Sequence, residues 1–411
     1  MSLVAGPRAA KAEGIGDSVQ VHGYGSWAYK RTSNEGYIYA EGDEEGNYTN
    51  VSGSLNVSAR PTEDITAVIQ ANWTLMQGRT LDTNTFTFPL ASPPCAAIPV
   101  PPPALANGCT VAVPQGTVTK SPESDIELDY AFAEWHYSDA FRLRAGQVKL
   151  PFGIYTEIYD VGTLRPFLDV PQGIYGAQAV VAESYQGGGI TGNVYSDDWG
   201  LQYDVYGGQV ISDLELSPTN TVETVLLDVL GGRLHVTTPI EGLSFGTSGY
   251  FGLKSGDTFT FPPFVTHAER GSVGAHIEYA GDNLLIRTEG VYTYAQRFYK
   301  TAAAYLEVAY MFVDHVQLAG RLDYYKGDIS DNPVLAAALP KSIDRHVDYG
   351  VALNYWFNTH FVIKTAYHYI DGNRYSQPEA IGAFVTFVTP YAGPPLDESN
   401  HLFEAGAQFS F

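Results

Sequence analysis

The feature that most constrains this chain is an alternation of apolar and polar residues sustained over ten or more positions at a time. From Val347 to Phe357 every second residue is apolar or aromatic (Val347, Tyr349, Val351, Leu353, Tyr355, Phe357), with Asp348, Gly350, Ala352, Asn354 and Trp356 between them. Phe361, Ile363, Thr365, Tyr367 and Tyr369 repeat the pattern, and Asn358-Thr359 joins the two runs as a tight turn. A period of two belongs to a strand with one apolar face, and helical spacing is almost absent. Soluble sandwiches use strands of about five or six residues. These runs instead match the roughly 9 to 11 residues with which a tilted strand crosses a bilayer. Spanning helices are excluded, because Val225–Leu230 and Leu335–Leu339 are the most apolar stretches. Both fall far short of the roughly 18 residues a helix needs.

Along the 411 residues the same reading gives about sixteen strands, near 20–30, 47–59, 64–77, 124–138, 139–150, 184–197, 199–211, 222–238, 241–254, 268–280, 283–296, 301–313, 315–326, 345–357, 359–370 and 401–411. Short turns fall at Ser138-Asp139, Asp197-Asp198, Pro239-Ile240-Glu241, Gly281-Asp282, Val313-Asp314 and Asn358-Thr359. Longer loops fall at 78–123, 151–183, 255–267, 327–344 and 371–400. Short turns at one end and long loops at the other mark transmembrane barrels, and an even strand count puts both termini at the short-turn, periplasmic end. Composition agrees: 42 Gly, 29 Tyr, 3 Met and a mean hydropathy of -0.11 suit a wall apolar outside and polar inside. Aromatics near strand ends (Trp27, Tyr29, Trp73, Trp135, Tyr137, Tyr292, Tyr294, Tyr324, Tyr325) read as interfacial belts, with ordinary β-propensity the alternative. The last strand puts Phe403, Ala405, Ala407, Phe409 and Phe411 on one face. A terminal Phe on such a strand resembles a membrane-insertion signal, with Phe411 and Phe409 as its aromatic members. The expected fold is all-β, a transmembrane antiparallel barrel forming a single domain over 20–411. Residues 1–19 read as an N-terminal extension or signal-peptide remnant. Ala10-Lys11-Ala12 resembles a cleavage site, but no apolar core precedes it.

The net charge of -22 argues against nucleic acid as a partner. Glu41, Asp43, Glu44, Glu45, Asp397 and Glu398 cluster in presumed loops, either as solvated surface or as a cation-binding mouth. Cys95 and Cys109 share the Pro-rich loop 78–123. They read as a disulfide of an oxidising compartment, with two free thiols the alternative. Such a bond would contribute about 3 kcal/mol through chain entropy. No metal-ligand spacing, G-x-S-x-G or H-E-x-x-H occurs, so no enzyme and no cofactor is expected. Histidines such as His136, His276, His346 and His368 lie in strands and read as lumen or belt residues. Gly187-Gly188-Gly189 precedes no helix and reads as a close-packed stretch of wall.

Chemistry in a barrel belongs to its lining. Phe141, Leu143 and Ala145 alternate with Arg142, Arg144 and Gly146, so the two arginines face the lumen. Arginine toward lipid at the midplane would cost roughly 2–4 kcal/mol. Lys149-Leu150-Pro151-Phe152-Gly153 then ends the strand. The segment 151–183 is too long for a plain hairpin and carries Glu157, Asp160, Arg165, Asp169 and Glu183 with several aromatics. It reads as a constriction loop folded into the barrel, with a lid on the rim the alternative. Further lumen candidates by parity are Arg233, Arg287, Arg321 and Lys364, and the acids Glu127, Asp129, Asp204, Glu289, Glu307, Asp323 and Asp348. Either they pair across strands or the basic ones form a ladder for anions.

Leu143-Arg144-Ala145-Gly146-Gln147-Val148-Lys149-Leu150-Pro151-Phe152-Gly153 resembles the RxGxxKxPFG segment of the phosphate-selective porin family and its dicarboxylate-type relatives. Ala131-Phe132-Ala133-Glu134-Trp135-His136-Tyr137 also fits that family, and the match covers roughly 124–180. The resemblance implies sixteen strands, a homotrimer, a third extracellular loop inside the lumen and lumenal cations that attract anions. Arg142, Arg144 and Lys149 occupy the matching positions, and Arg165 lies in the loop. The sequence departs from the family in lacking a loop cluster of lysines. The expected function is passive diffusion of small hydrophilic solutes across the bacterial outer membrane, with an anion preference. The alternative is a scaffold that sheathes a partner such as an electron carrier. Expected partners are outer-membrane lipid, lipopolysaccharide and the barrel-assembly machinery.

Overall fold

The computed structural model of the chain describes residues 19–33, 46–88, 109–176, 181–217, 220–254, 269–295, 299–328, 345–372 and 398–411. Sixteen strands run β1 Val19–Thr32, β2 Val51–Thr62, β3 Ile65–Phe88, β4 Cys109–Ser138, β5 Phe141–Lys149, β6 Ser184–Ser196, β7 Trp199–Ser217, β8 Asn220–Thr237, β9 Leu243–Lys254, β10 Glu269–Ala280, β11 Leu284–Ala295, β12 Tyr299–Val313, β13 Val316–Asp328, β14 Arg345–Asn358, β15 Phe361–Asp371 and β16 Ser399–Ser410. Each pairs antiparallel with its neighbours in sequence, and β1 pairs with β16 to close the barrel. Closure leaves no sheet edge unpaired, which a bilayer demands. Every strand expected from the alternation is present.

Two differences concern the connections. A turn at 63–64 separates β2 from β3. More of 78–123 is strand than expected, because β3 and β4 stay paired as far as Phe88 opposite Cys109. Three β-branched residues, Thr110, Val111 and Val113, favour extension there. Pro114 sits at a register shift, where a missing N–H costs little. Residues 89–108, and with them Cys95 and its expected bond to Cys109, lie outside the described residues, as do 1–18.

The alternation sorts side chains between two environments. On β14, Val351 is 47% exposed on the outer wall, whereas its neighbour Ala352 is 2% exposed inside. Tyr349, Leu353, Tyr355 and Phe357 follow Val351; His346, Asp348 and Asn354 follow Ala352. Phe409 and Phe411 also point outward. Their rings fill the space above Gly25 and Gly23 of β1. The Phe411 N–H donates to the Gly23 carbonyl at 2.9 Å, so the chain end completes the seam.

An apolar core lies within the barrel. Leu150, Phe152, Tyr155, Val170, Ile174, Tyr175 and Val181 pack against inward side chains including Tyr206, Tyr250, Val291 and Tyr305. Phe167 forms a second cluster with Ala309, Ala319, Ala352 and Ala366. Small residues on β12–β15 leave room for that ring.

Candidate functional site

Gly146 starts the geometry of the site. Its φ of +136° suits glycine, and a Cβ there would collide with the Ala131 carbonyl oxygen. The chain leaves β5 at Leu150-Pro151 and turns at Gly153, which has a φ of +59°. It then forms a one-turn helix α1 (Tyr155–Ile158), a 3-10 turn (Gly162–Leu164) and a second short helix α2 (Gln172–Tyr175).

Because these turns are short, strands must satisfy their backbone groups. The Gly153 N–H donates to Ser248 Oγ of β9 at 3.0 Å, and the Gly173 N–H donates to Asp323 of β13 at 2.8 Å. Tyr155 donates its hydroxyl to Glu307 at 2.6 Å, and Tyr175 donates to Glu289 at 2.7 Å. Arg287 donates to the Leu164 carbonyl, Arg321 to the Asp169 carbonyl and Asn354 to the Pro166 carbonyl. Lys364 of β15 is fully buried. Its ammonium donates to the carbonyls of Gly162 (2.8 Å), Arg165 and Phe167 (3.4 Å) and to Gln408 Oε1 (2.5 Å).

The described part of the segment thus lies among inward-facing side chains of β8–β16. It also meets the opposite wall through ion pairs. Lys149 bonds Asp160 at 2.6 Å and Asp129 at 3.0 Å, while Gln70 of β3 donates to Asp160 at 2.9 Å. Lys30 of β1 bonds Asp169 at 3.0 Å and faces Glu404 of β16 at 3.7 Å. Burial and the neighbouring Glu404 push the Asp169 carboxyl up to about 6, against the pull of Lys30.

The candidate residues fall into two groups. Arg142, Arg144, Lys149, Glu157 and Asp160 stand on one side. Arg142 and Arg144 share Glu134, at 3.8 and 2.5 Å. Glu157 reaches Arg233, which also holds Asp204 at 3.0 Å. Arg144, Lys149, Glu157 and Asp160 line a cavity of about 220 Å³ together with Tyr24, Val68, Tyr130 and Phe132. Arg287, Glu289, Arg321, Asp323 and Lys364 are instead buried beneath the loop and hold it. Arg287 pairs with Glu278 at 3.2 Å, and Arg321 lies 3.8 Å from Glu307 and 3.9 Å from Asp348. Arg165 is half-buried, and its backbone carbonyl is what Lys364 grips. Glu127, opposite Asn72, is exposed.

Sequence reasoning missed Lys30, Glu134 and Glu404. It treated His368 as a generic lining residue. His368 Nδ1 lies 2.8 Å from Asp348, and its Nε2 lies 3.6 Å from Glu404. Their inward parity was readable in β1, β4, β15 and β16, but their partners come from distant strands. His136 is exposed near the end of β4, 3.3 Å from Asp139.

No family model and no curated protein matches the chain. Solved structures do. The outer membrane channel DcaP of Acinetobacter baumannii aligns with a TM-score of 0.54 at 8% identity, covering 96% of this chain and 97% of that one. An anion-selective porin from Comamonas acidovorans gives 0.53 at 9%, covering 96% and 99%. The trimer form of OmpT, an outer membrane protein of Vibrio cholerae, gives 0.52 at 9%, covering 96% and 99%. At such identities the likeness is one of fold, and the fold is that of bacterial outer-membrane porins. A closed sixteen-strand barrel with an apolar outer wall belongs in that membrane.

Proposed function

We propose that this chain is a passive diffusion channel for small hydrophilic solutes, with the segment 151–183 as its constriction. The observation that supports the reading is a segment inside the barrel whose apolar packing is one-sided, while its charged residues reach the other wall. The loop packs its apolar residues against β6–β15 and leaves a charged cleft beside β1 and β3–β5. A lumen filled on one side admits small polar solutes and excludes folded macromolecules. That arrangement opposes the sheath around an electron carrier, and a lining of ion pairs fits transport and not catalysis.

Charge counting argues for weak selectivity. Lys149 is shared by two carboxylates and Arg233 by two more. A phosphate trap needs cations in excess, whereas Lys30, Lys149 and Lys364 are each engaged by oxygen. A modest anion preference would enter at Arg142 and Arg144, where two guanidiniums share one carboxylate. We further propose a homotrimer embedded in lipid and lipopolysaccharide and inserted by the barrel-assembly machinery. A native mass of one 44.7 kDa chain would remove the trimer.

Planar-bilayer recording tests the channel. Purified folded protein should give ohmic steps, with a small reversal potential in a KCl gradient. Folded protein that never conducts would refute the proposal.

A further inference from the structure

We infer that the cleft between residues 151–161 and the β3–β5 wall is a binding station for a small zwitterion with an apolar body, of the kind an aromatic amino acid represents. The inference deepens the channel reading by naming a solute class for the same passage.

The cleft's charges are the first argument. Arg144 and Lys149 line it from β5, and Glu157 and Asp160 line it from the loop. Lys149 and Asp160 bond one another at 2.6 Å, Lys149 also holds Asp129 at 3.0 Å, and the first two are only 15% and 13% exposed. Arg144 is 29% exposed and Glu157 55%, so these two are the charges a solute meets. Each is held from behind, Arg144 by Glu134 and Glu157 by Arg233, both at 2.5 Å. A guanidinium has five N–H donors and a carboxylate about four acceptor positions. One partner leaves both with bonding capacity toward the cleft.

The surfaces between the charges are the second argument. Tyr24, Val68, Tyr130 and Phe132 panel the same cleft. The Arg144 guanidinium stands 5.5 Å from the Phe132 ring centroid, and the Lys149 ammonium stands 5.7 Å from that of Tyr130. Charge and aromatic surface therefore lie side by side. At about 220 Å³ the space is smaller than the roughly 300–1,000 Å³ pockets of drug-sized ligands. A monoanion satisfies Arg144 but meets Glu157; a monocation does the reverse. Only a solute bearing both signs satisfies both walls while its apolar part covers the rings.

The test is equilibrium binding by fluorine NMR to the full chain in nanodiscs, which does not require conduction. The probes are 4-fluorophenylalanine, 4-fluorobenzoate and 4-fluorophenethylamine. The zwitterion should bind about fivefold more tightly than either singly charged probe, the factor that one exposed ionic contact of about 1 kcal/mol supplies. Arg144→Gln should weaken the zwitterion and the benzoate but spare the amine. Glu157→Gln should weaken the zwitterion and the amine but spare the benzoate. Arg345→Gln, at a distant ion pair with Asp371, should change none of them. Benzoate binding tightest, equal affinities, or both cleft variants weakening all three probes alike would overturn the inference. Protein that binds as stated but never conducts would sink the channel reading and leave the binding station standing.

Discussion

Lys364 is the buried cation from which the turn at 162–167 hangs, and Lys364→Met should release that turn while the barrel stays closed. The ammonium has three donors, and its four recorded acceptors are neutral oxygens, three of them loop carbonyls. A hydrogen bond from a charged donor contributes roughly 1.5–3 kcal/mol. Burying the ammonium costs several kcal/mol in the other direction. Three bonds set against that penalty leave a net loss of about 3 kcal/mol for the substitution. Met matches the Lys side chain as far as Cε and lacks only Nζ, so the loss reflects chiefly the bonds. The β14–β15 and β15–β16 ladders are backbone pairings and survive it. Amide hydrogen exchange should locate the effect. Protection at Gly162 to Phe167 should fall about 100-fold, the factor that about 3 kcal/mol supplies. Strand amides should hold their rates, and open-channel noise should rise as the turn samples the passage. Unchanged exchange at 162–167 would refute the reasoning, because it would mean that the turn holds itself without the ammonium.

Gly146→Val should cost more than about 2 kcal/mol or block assembly, since it combines a left-handed φ with a collision against the Ala131 carbonyl; a heat-modifiability assay on refolded protein checks it. Val351→Arg, on the outer wall, should destabilise the barrel by roughly 2–4 kcal/mol in vesicles, and a neutral result would mean that this position is not lipid-facing. Arg144→Glu should reverse the local charge excess beside Glu134 and move the reversal potential toward cation preference, while Arg321→Glu should instead impair folding by placing a third acid beside Glu307 and Asp348. Tyr155→Phe removes one buried bond to Glu307 and should cost about 1–3 kcal/mol, read by urea unfolding.

The wall was legible in the sequence because a strand's environment is written locally. Residues two apart share a face, so Tyr349, Val351 and Leu353 declare their side without reference to other strands. The inward parity of Arg142, Arg144, Arg321 and Lys364 followed from the same rule. What those side chains touch did not. Lys364 meets Gly162, and Lys30 meets Asp169 and Glu404, across separations that no local pattern encodes. The loop's apolar residues were visible at Phe152, Tyr155 and Phe167. The alanines on β12–β15 that receive Phe167 had no signal of their own beyond small size. The extension of β3 and β4 was obscured by prolines, which usually interrupt a ladder; here Pro114 sits at an irregularity in it, and Pro122 is carried within it opposite Gln77.

The contacts of Asp169 constrain the order of events during assembly. Its carboxylate binds Lys30 on the first strand and neighbours Glu404 on the last, so one loop residue sits astride the joint where the sheet meets itself. A cylinder sealed beforehand would have to draw a folded, partly apolar peptide inward through its own mouth. A sheet still open along β1 and β16 can instead wrap around that peptide as a sleeve wraps a rod. On this geometry the interior is furnished before the final zipper closes, and the loop residue that binds the first strand is the one that registers completion of the wall.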